Sequence, residues 1–132
     1  MKKFFSPLPL WAEPGLAFVR IVVGIFMILH GMEIFDEKVM RSYLDWMSSP
    51  LYMIYLGKTA ELFAGTLLTI GLFTRLATLV LIGTMLYISL FVGKGRIWYE
   101  DQHPFMFVLL GLVFLFVGGG PFSIDQLIFR RK

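Results

Sequence analysis

Four apolar stretches, at about residues 16–35, 51–73, 76–92 and 104–120, occupy most of this 132-residue chain. A helix rises about 1.5 Å per residue, so the first stretch reaches about 30 Å, the thickness of a bilayer's hydrocarbon core. Lipid offers no hydrogen-bond partners, so a segment that crosses it must satisfy its own backbone, and short apolar runs without a barrel's alternation do so as helices. The expected fold is therefore an all-α integral membrane protein, a four-transmembrane-helix up-down bundle. Residues 1–132 make one domain, because a chain of this length is too short for two ordinary ones. The balance of side chains agrees: 58% are apolar and only 16% charged, where soluble domains carry about 25% charged residues.

Several chemistries fall away at once. No cysteine is present, which excludes disulfides, zinc–thiolate and iron–sulfur ligation, and thiol redox chemistry. Two histidines exclude an all-histidine metal site of three or more ligands within one protomer, so no metal and no covalent cofactor is expected. The formal charge of +3 does not point to nucleic acid, since the basic residues flank the apolar spans, where lipid headgroups account for them. Gly118-Gly-Gly-Pro121 ends a span and is not followed by Lys-Ser/Thr, so it is no phosphate loop.

Proline and small polar residues punctuate the spans. Residues 1–10, with Lys2 and Lys3, read as a retained interfacial segment, since Pro7 and Pro9 interrupt the apolar run of a signal peptide. Glu13-Pro14 and Ser49-Pro50 mark the starts of the first and second helices, while Thr74 and Asp101 are candidate caps for the third and fourth. The third follows the second through so tight a turn that the two are antiparallel neighbours. Residues 36–47 place Val39, Met40, Tyr43, Leu44 and Met47 on one helical face, the pattern of a short interfacial helix, although a polar loop fits equally. Ser123 is a candidate cap for a last turn that carries Ile124, Leu127 and Ile128 inward.

An even number of crossings leaves both termini on one side. That side holds Lys2, Lys3, Arg20, Arg75, Arg130, Arg131 and Lys132, against Lys38, Arg41, Lys58, Lys94 and Arg96 on the other. Seven basic residues against five favour cytoplasmic termini under the positive-inside rule.

Ionisable groups within spans are costly, so each proposes a function or a partner. His30 and Glu33 on the first span, Glu61 on the second and His103 at the head of the fourth all fall toward the non-cytoplasmic end. They are the candidate ligand, quinone or proton site, with His30 and Glu61 expected to face one another. A hydrogen-bonded pair that merely fixes helix packing explains them as well, and nearness to the water interface explains Glu33 and His103. At the opposite end Arg20 or Arg75 is expected to form an ion pair with Asp125, tying the C-terminal segment back under the bundle. Gly24 and Gly31 share one face of the first span, and Glu61 and Gly65 lie one turn apart on the second, so these faces allow close helix approach.

The pattern as a whole resembles the DoxX family. Arg20-Ile-Val-Val-Gly24 leading to His30-Gly31, Glu61-x-x-x-Gly65 followed by Gly71-Leu-Phe-Thr-Arg75-Leu-Ala-Thr, and Gly120-Pro121-Phe-Ser123-Ile-Asp125 are similar to that family's motifs in order and spacing. The resemblance spans about residues 16–128 and implies a small four-helix protein of the bacterial cytoplasmic (inner) membrane. The family is named for a subunit of an archaeal thiosulfate:quinone oxidoreductase, and other members are linked to redox complexes, whereas distant animal relatives assist receptor assembly. A fold does not by itself fix an activity. Two expectations follow, a quinone-linked oxidoreductase-complex subunit and a non-catalytic scaffold or assembly factor for a partner membrane protein. Either one works in the lipid bilayer with a protein partner or as a homo-oligomer, and without nucleic acid.

Overall fold

A computed structural model describes residues 11–47 and 49–129, and among these every regular element is helical. The chain forms α1 (Ala12–Met32), prolonged by a 3₁₀ turn (Glu33–Phe35), then α2 (Glu37–Trp46) and α3 (Leu51–Ile70). After these come α4 (Thr74–Tyr87), which continues as a π-helical turn (Ile88–Val92), α5 (Gln102–Val117) and the short α6 (Ile124–Phe129). The expected interfacial segment at residues 1–10 and the terminal basic residues Arg130, Arg131 and Lys132 lie outside the described residues.

The four long helices pack in the order α1–α3–α4–α5. Their neighbours run antiparallel: Gly24 meets Gly65 and Thr69 while Gly31 meets Leu62, and farther along the bundle Gly111 meets Leu81 and Ile82. The α1–α3 contact is close because two glycines face each other. A Cβ on Gly65 would stand 2.7 Å from the Gly24 carbonyl oxygen and from the Ile28 nitrogen. Around this contact lies a core of Met27, Ala64, Leu68, Ala77, Leu81 and Phe114, all fully buried.

Polarity is arranged opposite to that of a water-soluble domain. Arg20 is 1% exposed and Glu61 3%, whereas Phe18 is 69% exposed and Phe116 77%. Outward-facing Ile25, Leu29, Phe63, Leu79, Leu109 and their neighbours present apolar surface far beyond what a soluble monomer exposes. Two helical segments, Ala12–Phe35 and Thr74–Val92, are long and apolar enough to cross a membrane. The apolar α5 has 16 residues, and α3 carries Lys58 and Glu61, which lower its hydropathy.

Helix ends follow the sequence signals in part. Pro14 sits in the first turn of α1 and Pro50 immediately precedes α3. Asp36 caps α2 by accepting from the backbone N–H groups of Lys38 and Val39, so residues 36–47 are a helix and not a polar loop. Ser123 caps α6, its Oγ accepting from the Gln126 N–H at 3.3 Å. Ile124, however, is only half-buried, and Leu127 and Ile128 are exposed, because the bonds of Asp125 to the start of α4 fix which side of α6 meets the bundle.

Two expected caps are corrected. Asp101 makes no side-chain cap on α5; its carboxylate accepts instead from the Lys94 and Arg96 backbone nitrogens at 3.0 and 2.8 Å, closing the α4–α5 loop. Thr74 is the first residue of α4 and not its cap. The cap comes from far along the chain: Asp125 accepts from the Phe73 and Thr74 N–H groups at 2.6 and 2.8 Å. This also replaces the expected Arg–Asp125 ion pair, because two helix N-terminal donors already satisfy the carboxylate and the positive end of the helix compensates its charge. Arg75 is exposed. Arg20 ties down the same segment by another route, its Nη2 donating to the Phe122 carbonyl at 2.6 Å. The chain turns there at Gly71, whose φ of +71° and lack of a Cβ admit the Arg20 guanidinium and Ser123.

Asp125→Ala should therefore destabilise the protein by about 0.5–2 kcal/mol, the cost of losing a side-chain cap at a helix start. Thermal unfolding in detergent measures this, and Asp125→Asn, which keeps one acceptor oxygen, should recover part of the loss.

Candidate functional site

The antiparallel order brings the C-terminal turns of α1 and α4 to the same end as the N-terminal halves of α3 and α5. A cavity of about 230 Å³ lies there, lined by His30, Lys58, Glu61, Ile88 and His103, by Tyr43 from α2 and by Met47 just after it. Methionine and aromatic side chains make up half of the remaining wall, with Met27, Met53, Met85, Trp46 and Phe107 among them. The π-helical turn contributes Ile88 and Val92 to this wall. Such turns widen a helix locally and recur at functional sites.

The polar groups of this end form a connected network centred on Lys58. Its Nζ donates to Glu33 Oε2 at 2.8 Å and to Glu61 Oε2 at 3.0 Å, and lies 4.8 Å from the centre of the Tyr43 ring. The Tyr43 hydroxyl donates to the same Glu33 oxygen at 2.6 Å. Burial together with this bond to a carboxylate pushes the Tyr43 phenol above the ordinary tyrosine range. His30 Nδ1 lies 3.8 Å from Glu33 Oε1, and the His30 ring meets that of His103 edge-on, with centroids 6.2 Å apart. His103 packs in turn against Phe107 at 5.4 Å.

His30, Glu33, Glu61 and His103 thus share one end of the bundle, but the expected His30–Glu61 hydrogen bond is not formed. Glu61 bonds Lys58, while His30 lies nearest Glu33 and shares the cavity wall with Glu61. The reason is reach: Lys58 lies one turn before Glu61 on the same helix face, and its ammonium stands between Glu61 and Glu33. Lys58 and Tyr43 are functional candidates that the sequence reading passed over. The charge count places Lys58 with the outer basic residues, yet its i, i+3 spacing from Glu61 within an apolar span is the signal of an internal pair. In the sequence Tyr43 belongs to the apolar face of residues 36–47, and its hydroxyl tip is what that face delivers to Glu33.

Two carboxylates share one ammonium here, so with neutral imidazoles the cluster carries one net negative charge. It suits a neutral headgroup that offers hydrogen-bond acceptors to Lys58 and Tyr43 and an acceptor or donor to the histidines, and it repels small anions. Among the described residues no three histidine or carboxylate side chains come together as a metal site. Lys58→Met should destabilise the fold by about 3–5 kcal/mol, since removal of one partner strands buried charge. Adding Glu61→Leu to Lys58→Met should recover most of that loss in detergent unfolding measurements, because an apolar replacement of the buried pair leaves only the partly exposed Glu33, which keeps Tyr43.

Comparison with known proteins agrees with the geometry. The DoxX family pattern matches residues 15–94, more than half the chain. A Haemophilus influenzae protein named "Uncharacterized protein" is 33% identical over 125 residues, covering 88% of this chain and 92% of the relative. A Bacillus subtilis protein named "Putative oxidoreductase CatD" is 28% identical over 127 residues, covering 91% of each. No solved structure matches. With two helices long and apolar enough to cross a membrane, its inverted polarity and this family match, the chain is a membrane protein that belongs to the DoxX family.

Proposed function

We propose that this protein is a quinone-linked subunit of a redox complex in the bacterial cytoplasmic membrane, and that the cavity holds the quinone headgroup. The observation that carries this reading is a cavity among lipid-facing helices whose apolar walls surround one buried, doubly paired lysine. A quinone ring is flat, neutral and apolar at its faces, with two carbonyl oxygens at its edges. Methionine and aromatic walls suit the ring and tail, while Lys58, Tyr43 and His30 suit the carbonyls. His30 and Glu61 would exchange protons with the ring, and electrons would come from a partner protein. The name of the Bacillus subtilis relative supports a redox role.

In this reading α1, α3, α4 and α5 all cross the bilayer and form one domain, with both termini cytoplasmic and the cavity at the outer end. At 16 residues α5 reaches about 24 Å, so the bilayer thins beside it or its flanking loop enters the interface. The alternative, a scaffold whose polar network only fixes packing, is supported by the mutual satisfaction of Lys58, Glu33 and Glu61.

Purification in mild detergent followed by solvent extraction should recover bound quinone, and added quinone should shift the thermal transition upward. Glu61→Gln with His30→Gln should leave a folded protein with quinone affinity reduced at least tenfold. Repeated absence of quinone, with no shift on adding it, would favour the scaffold. A reporter fused to the C-terminus should be active only as a cytoplasmic fusion; activity outside would reverse the orientation.

A further inference from the structure

We infer that His103, His30, Glu33 and Lys58 form a proton path that connects Glu61 to solvent at one end of the bundle only. The inference deepens the reading of the cavity as a ligand site but stands on the arrangement of the chain's own groups. Exposure falls steadily along the series. His103 is exposed, and the side chains of His30, Glu33, Lys58 and Glu61 are 43%, 30%, 10% and 4% exposed. Each group neighbours the next: edge-on rings for the histidines, 3.8 Å from His30 to Glu33, then 2.8 and 3.0 Å through the ammonium. A rotation of either imidazole or one intervening water closes the two longer steps.

The transfer balances without any redox partner. An imidazole takes a proton from solvent and passes it through His30 to the Glu33 carboxylate. Lys58 gives a proton to Glu61 and recovers one from Glu33, so the net change is one proton moved from solvent to Glu61. The groups around Glu61 come from every packed element: His30 from α1 and Glu33 from the 3₁₀ turn that follows it, Tyr43 from α2, Lys58 from α3, Tyr87 from α4 and His103 from α5. Toward the opposite end the way is closed by Met27, Ala64, Leu68, Ala77, Leu81 and Phe114, none more than 1% exposed, and no titratable side chain bridges that layer among the described residues.

The test uses the full chain in vesicles, with orientation scored by trypsin access to the exposed Lys94 and Arg96 in the α4–α5 loop. The infrared carboxyl signal of Glu61, identified by its loss in Glu61→Gln, is followed after a pH jump from 8 to 5.5 on one side. The signal should respond when the jump is on the α4–α5 loop side and lag at least tenfold when it is on the other. His103→Gln and His30→Gln should each slow the response at least tenfold, with Glu100→Gln at the exposed rim unchanged. Equal response from both sides, an unaltered rate in His103→Gln, or a Glu61 signal that never changes would each overturn the path. Quinone content is measured separately, so a protein that binds none but shows one-sided response retains the path and loses only the ligand reading.

Discussion

Everything at the polar end depends on how closely α1 and α3 approach. Gly24 and Gly65 put backbone against backbone, and with Gly31 against Leu62 the two helices stay in contact for several turns. At that separation the Lys58 ammonium reaches Glu33 on the adjoining segment while still bonding Glu61 on its own helix. A side chain in place of either glycine would push the helices apart, and Lys58 would then serve one carboxylate and leave the other without a cation. In membranes, where apolar surfaces gain nothing by leaving lipid, such small-residue contacts and the polar bonds they permit drive association.

The two ends of the bundle are built differently. At one end backbone groups dominate: Asp125 and Arg20 bond main-chain atoms of other segments, and α3, α4 and the C-terminal segment are tied into a closed turn. At the other, side chains bond side chains around an open space, beneath a helix, α2, held mainly by Met40 and by Tyr43. Main-chain bonds are fixed by the fold, whereas side-chain networks can exchange partners or protons without moving a helix. The functional reading therefore belongs to the α2 end.

Legibility in the sequence follows the same division. Helix positions and the α3–α4 turn were readable because apolar runs and Gly71 act through their immediate neighbours, whereas residues 36–47, which fit a helix or a loop equally in the sequence, are settled as a helix with the Asp36 cap. That His30, Glu33, Glu61 and His103 share one end of the bundle was readable by counting residues from the ends of the apolar runs. Partner choice was not. Asp125 lies 51 and 52 residues from the N–H groups it caps, and nothing local distinguishes that destination from a nearby arginine. Lys58 was hidden by its charge, since a lysine near the end of an apolar run is more readily placed in the headgroups than inside, and only its spacing from Glu61 argues otherwise.

The π-helical turn at Ile88–Val92 separates shape from charge in this protein. Its wider ring is closed by the Gly93 N–H donating to the Ile88 carbonyl at 2.7 Å, and the Gly95 N–H donates to the Ser89 carbonyl at 3.1 Å. None of these atoms belongs to the Lys58 network, yet Ile88 and Val92 form one wall of the cavity. Loss or gain of a single residue there would rotate the end of α4 by about 100° and reshape the chamber while leaving every ion pair in place. Descendants of one ancestral chain can in this way inherit the same buried charges and diverge in what fits beside them.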